Sequence, residues 1–224
     1  MLAGRYRHMV LFDSLPRRLF AFIGDVLSPP RCAACDARVE SQRIFCAGCA
    51  VSIEKWCNND EVVAGYHYGG AVAAALVRMK FGQRVDLARP LGDLLVLGTR
   101  ETISDSVDRV IPVPLHHSRL AERGYNVPAL LARSLARALQ TSLDTTSLHR
   151  VRKTLAQTSL GREERWSNVM GAFVVALPQQ IAGRHIVLLD DVCTTGSTLR
   201  AAMDALQCAG AKRVTRVALT QAAL

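Results

Sequence analysis

Apolar positions recur along this chain with two distinct periods. Val72, Leu76 and Met79 are spaced at helical intervals across Ala71–Lys80, and Leu87, Leu91 and Leu94 do the same across Asp86–Leu97. Gly98 is expected to stop that second helix. Asn126 reads as the N-cap of a third, with Pro128 in its first turn, running to about Gln140. Its face of Leu131, Leu135 and Leu139 lies opposite Arg133 and Arg137. A fourth helix is predicted over Thr198–Ala209, stopped by Gly210. Strands are predicted at Arg109–Val113, Ala172–Ala176, Ile186–Leu189 and Val214–Thr220. Ile186-Val187-Leu188-Leu189 has no polar alternation, as expected of a strand buried on both faces in a parallel sheet. From Arg109 onwards the order is strand, helix, strand, strand, helix, strand, which predicts an α/β domain with a mostly parallel sheet flanked by helices. Residues 10–27 interleave apolar residues with Asp13, Arg17, Arg18 and Asp25 and read as an amphipathic helix packed on that domain.

Composition narrows this picture. The 224 residues suffice for one α/β domain and a small appendage, and half of them are hydrophobic, which excludes a disordered chain. No apolar stretch reaches the ~18 residues of a membrane span, and no secretory core with a cleavage site is evident, so the expected compartment is the cytoplasm. The net charge of +9 suits polyanionic ligands, a pyrophosphate or nucleic acid, although solvated arginines on helix faces would give the same balance. An aromatic content of 5% argues against extensive base stacking, leaving Tyr66, Tyr68, Trp56 and Trp166 as candidates.

Four of the seven cysteines form Cys32-x-x-Cys35 and Cys46-x-x-Cys49. Two such turns complete a closed tetrahedral site of four thiolates, which points to structural Zn²⁺. Disulfides fit poorly in a chain without a secretion signal, and a redox dithiol needs only one pair. An iron–sulfur cluster is the remaining alternative. So short a segment cannot bury a core of its own, so the metal must hold it. The predicted division is a zinc-binding hood over residues 1–60 and the α/β domain over 61–224. Of the other cysteines, Cys193 reads as a small space-filling residue, with a reactive thiol as the alternative.

The chemistry concentrates after the buried strand, in Asp190-Asp191-Val192-Cys193-Thr194-Thr195-Gly196-Ser197-Thr198. Ligands of open α/β sheets bind outside the carboxyl ends of strands, where turn amides and a helix N-terminus converge. The hydroxyl-rich turn suits a phosphate. The two carboxylates would repel it and are better placed to accept hydrogen bonds from sugar hydroxyls. The pattern therefore asks for a ribose beside a 5′-phosphate. Neither a Gly-x-x-x-x-Gly-Lys loop nor a Gly-x-Gly-x-x-Gly fingerprint is present. Arg119 and Arg123, in a predicted basic loop after the Arg109–Val113 strand, would neutralise a pyrophosphate, or else stand solvated. The basic stretch from Arg150 to Asn168, with Lys153 and Gln157, reads as a flap over an anionic ligand or as an exposed basic helix. His116 and His117 are adjacent, and neither is assigned a catalytic role.

The Asp190–Thr198 run resembles the phosphoribosyl-pyrophosphate (PRPP) signature of type I phosphoribosyltransferases. Further matches extend the resemblance over most of the chain, to the ComF family. They are the four-cysteine knuckle, Met79-Lys80-Phe81, Pro112-Val113-Pro114-Leu115, Arg119-Leu120-x-x-Arg123-Gly124-Tyr125-Asn126, Thr154-x-x-Gln157 and Gly171-Ala172-Phe173. The resemblance implies a type I phosphoribosyltransferase sheet with an N-terminal zinc-binding hood. It implies PRPP as ligand, bound by Asp190 to Thr198, with Mg²⁺ bridging the ribose hydroxyls and the pyrophosphate. It also implies natural competence, with single-stranded DNA and other competence proteins as partners. Transfer of ribose 5-phosphate to an acceptor and a non-catalytic, single-stranded-DNA-binding role both stay open. A transcriptional regulator ranks third, because no helix-turn-helix is evident.

Overall fold

The computed structural model describes residues 29–40, 43–57, 61–103, 106–152 and 171–222. The amphipathic segment at 10–27 and the flap residues from 153 to 170, including Lys153 and Gln157, lie outside the described residues. The architecture is built on β6 (His185–Cys193), the strand of the Ile186–Leu189 run. It is hydrogen-bonded on one side to β7 (Arg213–Gln221) and on the other to β2 (Arg109–Pro112). With β1 (Val62–His67) outside β7 and β3 (Ser142–Leu143) outside β2, a five-stranded parallel sheet has the order β1-β7-β6-β2-β3.

Alternation along β6 divides the core. Val187 and Leu189 join one apolar cluster with Val72, Leu76 and Met79 of α2 (Gly70–Phe81), Leu91 and Leu95 of α3 (Ala88–Thr99), and Leu131 and Leu135 of α5 (Val127–Ala138). Ile186 and Leu188 join another with Leu199 and Leu206 of α6 (Ser197–Cys208). All four of these β6 residues are completely buried, which is why the Ile186–Leu189 run carries no polar position.

Three expectations need correction. Ala172–Ala176 does contain a strand, β5 (Phe173–Val175), but it pairs antiparallel with β4 (Leu148–Arg150) in a ribbon separate from the main sheet. The segment holding Arg119 and Arg123 is not a loop: α4 spans His117–Arg123, and His116 caps it by accepting the Ser118 N–H at Nδ1 (3.3 Å). Gly98 does not stop α3, which runs on to Thr99. A Cβ at Gly98 would lie 2.8 Å from the Gly65 Cα and 2.9 Å from the Tyr66 ring, so this glycine is where α3 presses against β1.

The knuckle docks on the same core. Cys32, Ala33 and Phe45 are buried in the cluster of Val72 and Leu76. Past the short α1 (Ala47–Ala50), Glu54 and Trp56 pair along the outer edge of β1, with His67 N–H donating to Glu54 O (2.9 Å) and Trp56 N–H to Gly65 O (3.1 Å). An edge that would otherwise present unpaired amides is thereby covered.

Candidate functional site

β6 runs through both carboxylates before it ends, in register with β7 at Asp190–Ala218 and Val192–Thr220. Side chains alternate along a strand, so Asp190 points to the α6 face and Asp191 to the α2 face. Two cations, Lys80 and Arg150, act on the pair. Lys80, in the last turn of α2, donates to Asp191 Oδ1 at 2.8 Å, and the Asp191 side chain is 8% exposed. Arg150 of β4 acts on Asp190 electrostatically from the other side. Asp190 Oδ1 accepts the Asp191 N–H at 2.9 Å. Burial, and after it the charge of Asp191, pushes the Asp190 carboxyl up to about 7, while Lys80, the Asp191 amide and Arg150 oppose that rise. Burial pulls the Arg150 guanidinium below its usual range.

Beyond the strand the chain turns through Thr194 and Thr195 into α6, with Gly196 at the N-cap in a left-handed conformation (φ +73°). Thr195 Oγ1 and Ser197 Oγ lie 2.7 Å apart, and Gln221 Nε2 donates to Thr194 O at 3.1 Å, fixing the turn to the end of β7. The first intrahelical bond runs from Arg200 N–H to Gly196 O (2.9 Å). The opening turn ahead of that bond borders a small concavity shared by Asp190, Thr194, Gly196, Ser197 and Thr198. A helix N-terminus with hydroxyls around it is suited to an anion. Cys193 is buried, and burial followed by the charge of Asp190 pushes its thiol up to about 11, which favours the space-filling reading over the reactive one.

A cleft of about 700 Å³ opens above the strand ends. It is lined by Asp190, Asp191, Val192, Thr194 and Thr198 on one side and by Lys80, Arg119, Arg123 and Arg150 on the others. The fold thus brings the arginines of α4 to the acidic pair. Tyr125 Oη donates to Met79 O, and Asn126 Nδ2 to Val113 O (3.0 Å), so the turn after α4 is tied both to α2 and to the end of β2. His116 and His117 do not line the cleft. Lys80 and Arg150 stand in the sequence within segments already singled out, but nothing in their spacing announces a partner 111 residues away in the first case.

The sulfurs of Cys32, Cys35, Cys46 and Cys49 all lie within 4.8 Å of one another, with Cys35 and Cys46 3.7 Å apart. A tetrahedron with metal–sulfur bonds of about 2.3 Å has edges of about 3.8 Å, so the cluster fits a zinc-sized ion. Burial would push the Cys32 thiol up, but backbone N–H groups of Cys46, Cys35 and Ala34 outweigh it and hold the thiol down to about 6. The neighbouring thiols of Cys46 and Cys35 push Cys49 up to about 12, a conflict that a shared cation relieves. Arg78 of α2 donates to Cys32 O (3.3 Å) and Ala33 O (3.1 Å) and pairs with Asp36 at 2.5 Å. Two residues on, Lys80 holds Asp191, so one helical turn touches both the knuckle and the cleft.

A parallel sheet with an acidic pair and a hydroxyl turn at its central strand end defines a phosphoribosyltransferase-type domain. The family model described as "Phosphoribosyl transferase domain" matches residues 128–222, from α5 to the end of β7. Competence protein F of Haemophilus influenzae is 32% identical over 179 residues, covering 78% of this chain and 77% of that protein. DNA utilization protein YhgH of Escherichia coli K12 is 33% identical over 172 residues, covering 75% and 74%. The chain belongs to the competence protein F (ComF) family. Among solved structures, the glutamine PRPP amidotransferase of B. subtilis shares 20% identity at a TM-score of 0.39, over 58% of this chain. This chain spans only a quarter of that one, and the likeness is too slight to add to the assignment.

Proposed function

We propose that this protein binds PRPP at the end of β6 and transfers its ribose 5-phosphate to an acceptor, in the service of DNA uptake or use. The observation that carries the reading is the pair Asp190 and Asp191, splayed to opposite faces of β6 and followed at once by the Thr194–Thr198 turn into α6. In this reading hydroxyls and amides of Thr194–Thr198 hold the 5′-phosphate, with Val192 and Cys193 shaping the floor. Asp190 and Asp191 accept from the ribose hydroxyls. Arg119 and Arg123 face the pyrophosphate, and Lys153 and Gln157 complete the flap beyond the described residues. Two carboxylates beside a phosphate cradle suit Mg²⁺ carried in by the pyrophosphate, where it would offset leaving-group charge. In the transfer, the bond from C1′ to the pyrophosphate oxygen breaks with its electron pair on oxygen, and the acceptor's lone pair closes on C1′. Cationic character gathers on the sugar beside the carboxylates and anionic character near the guanidinium groups, so fixed charge and positioning supply the catalysis. Zn²⁺ in the knuckle is structural, since four thiolates leave no open position. Residues 1–60 form the hood and 61–224 the catalytic domain, working in the cytoplasm. Among the described residues no helix is long and apolar enough to cross a membrane.

The double variant Asp190→Asn/Asp191→Asn, shown to be folded by its melting curve, should lose PRPP binding in equilibrium dialysis. Undiminished binding would remove the reading. A second reading, a binding protein for single-stranded DNA working with other competence proteins, is favoured by the cluster of Arg119, Arg123 and Arg150 at the cleft and by the relatives' names. It requires oligonucleotide affinity that falls steeply with salt.

A further inference from the structure

Arg78 and Arg84 lie on either side of Lys80 in sequence, and both reach the same carboxylate. Arg78 Nη2 is 2.5 Å from Asp36 Oδ2, and Arg84 Nη1 is 2.9 Å from Asp36 Oδ1. Asp36 follows Cys35 directly, inside the first turn of the four-cysteine knuckle. Its own N–H donates to Cys32 O (3.0 Å), and Cys32 N–H donates to Ala37 O (2.8 Å). The turn that carries two of the thiolates therefore sets where this carboxylate points. The far side of Arg84 is engaged as well, with Nε and Nη2 donating to Asp86 Oδ1 (2.9 Å) and Oδ2 (2.7 Å).

A single exposed ion pair contributes little. Here one carboxylate joins two guanidinium groups whose side chains are only 24% and 28% exposed, and the chain reverses between them. Past Phe81 the backbone turns back so that Arg78 O accepts the N–H of Gly82 (2.8 Å) and that of Arg84 (3.5 Å). Gln83 sits in the reversal with φ +52°, a left-handed conformation that a residue with a Cβ keeps only where its surroundings enforce it. The two bonds to Asp36 supply that enforcement, because they fasten both ends of the segment from Arg78 to Arg84. Lys80 lies inside the fastened segment, and its ammonium group meets Asp191 Oδ1 at 2.8 Å.

We propose that Asp36 is a positioning residue that couples the four-cysteine site to the cleft, clamping Arg78 and Arg84 so that the turn between them holds Lys80 on Asp191. With metal in the knuckle the clamp is closed. When the metal leaves, the Cys32–Cys35 turn loses its closure, Asp36 moves with it, and the Lys80–Asp191 pair opens more often. The knuckle thus acts on the cleft through α2 while its metal stays fully coordinated by thiolates. The coupling needs only this ion pair and not the identity of the ligand in the cleft.

Acetylation of lysines by N-hydroxysuccinimidyl acetate, read by peptide mass spectrometry, reports the pair without any ligand, since a paired ammonium group reacts slowly. Exposed Lys212, just ahead of β7, is the internal reference. Stripping the metal with a chelator under reducing conditions should raise the Lys80 rate about five-fold or more relative to Lys212. The β6 amides should meanwhile keep their protection from hydrogen exchange. Metal-loaded Asp36→Asn should show the raised rate already, and chelation should then add less than about two-fold. Arg84→Gln, outside the knuckle, should also raise the rate with metal bound, and it decides the matter if Asp36→Asn fails to hold metal. A clamp that merely docked the knuckle would leave Lys80 at the parent rate in both variants. The coupling is overturned by that result, by a Lys80 rate that chelation leaves unchanged, or by a rise that comes with loss of β6 protection. Failure of PRPP to bind would bear on the ribose-phosphate reading alone.

Discussion

Replacing Asp190 by Asn should stabilise the fold at neutral and higher pH while weakening the ligand site. The Asp190 carboxyl is raised from an ordinary 3.8 to about 7, first by burial at the strand end and then by the charge of Asp191. Its ionised form is therefore disfavoured in the folded chain, by roughly 4 kcal/mol once ionisation is complete. The sign follows from proton uptake. Between the two values the folded state holds a proton that the unfolded state has released, so stability falls as pH rises through that window. The penalty is absent below about pH 4, partial near about pH 5.5 and complete above about pH 7. Asparagine keeps the oxygen that accepts the Asp191 N–H at 2.9 Å and has no charge to bury. Urea denaturation of metal-loaded parent and variant, at about pH 5.5 and about pH 8, isolates the effect, since the acid lability of the thiolate site is common to both and cancels. The variant's advantage should grow by about 2 kcal/mol between those conditions. An advantage that stays flat with pH, or a variant less stable than its parent at the higher pH, would refute the argument that burial strains this carboxylate.

Lys80→Met leaves Asp191 buried without its cation and should cost about 3–5 kcal/mol in a urea melt at neutral pH; a loss under about 1 kcal/mol would mean that the ion pair is dispensable. Chelation of the knuckle metal should free the amides of Cys32, Ala33, Cys49 and Ala50 to exchange while those of β6 and β7 stay protected, and hydrogen exchange would detect equal protection in both states as the contrary result. Gly98→Ala places a methyl 2.8 Å from the Gly65 Cα and should destabilise by about 1–3 kcal/mol, read as a lowered melting temperature; an unchanged one would contradict the close approach of α3 to β1.

What could be read before folding followed the strength of local signals. The Ile186–Leu189 run announces its strand because both faces are buried, and the cysteine spacing announces the tetrahedral cluster because each pair is a self-contained turn. β1 escaped notice: Val62–His67 is interrupted by Ala64 and Gly65, and its partner β7 lies about 150 residues onward in sequence. α4 was hidden by its brevity, with turn-forming Gly124 and Asn126 close behind it and a histidine, an uncommon N-cap, in front. The adjacent aspartates were visible as a pair, but their division between two faces, one toward Lys80 and one toward Arg150, exists only once the register with β7 is set.

The central claim is that the end of β6 is a PRPP site, and calorimetric titration of PRPP with and without Mg²⁺ into metal-loaded protein tests it most directly. Saturable, Mg²⁺-dependent binding that the Asp190→Asn/Asp191→Asn variant loses is the predicted result. No binding at about millimolar PRPP, in protein whose four-cysteine site is filled, would contradict it.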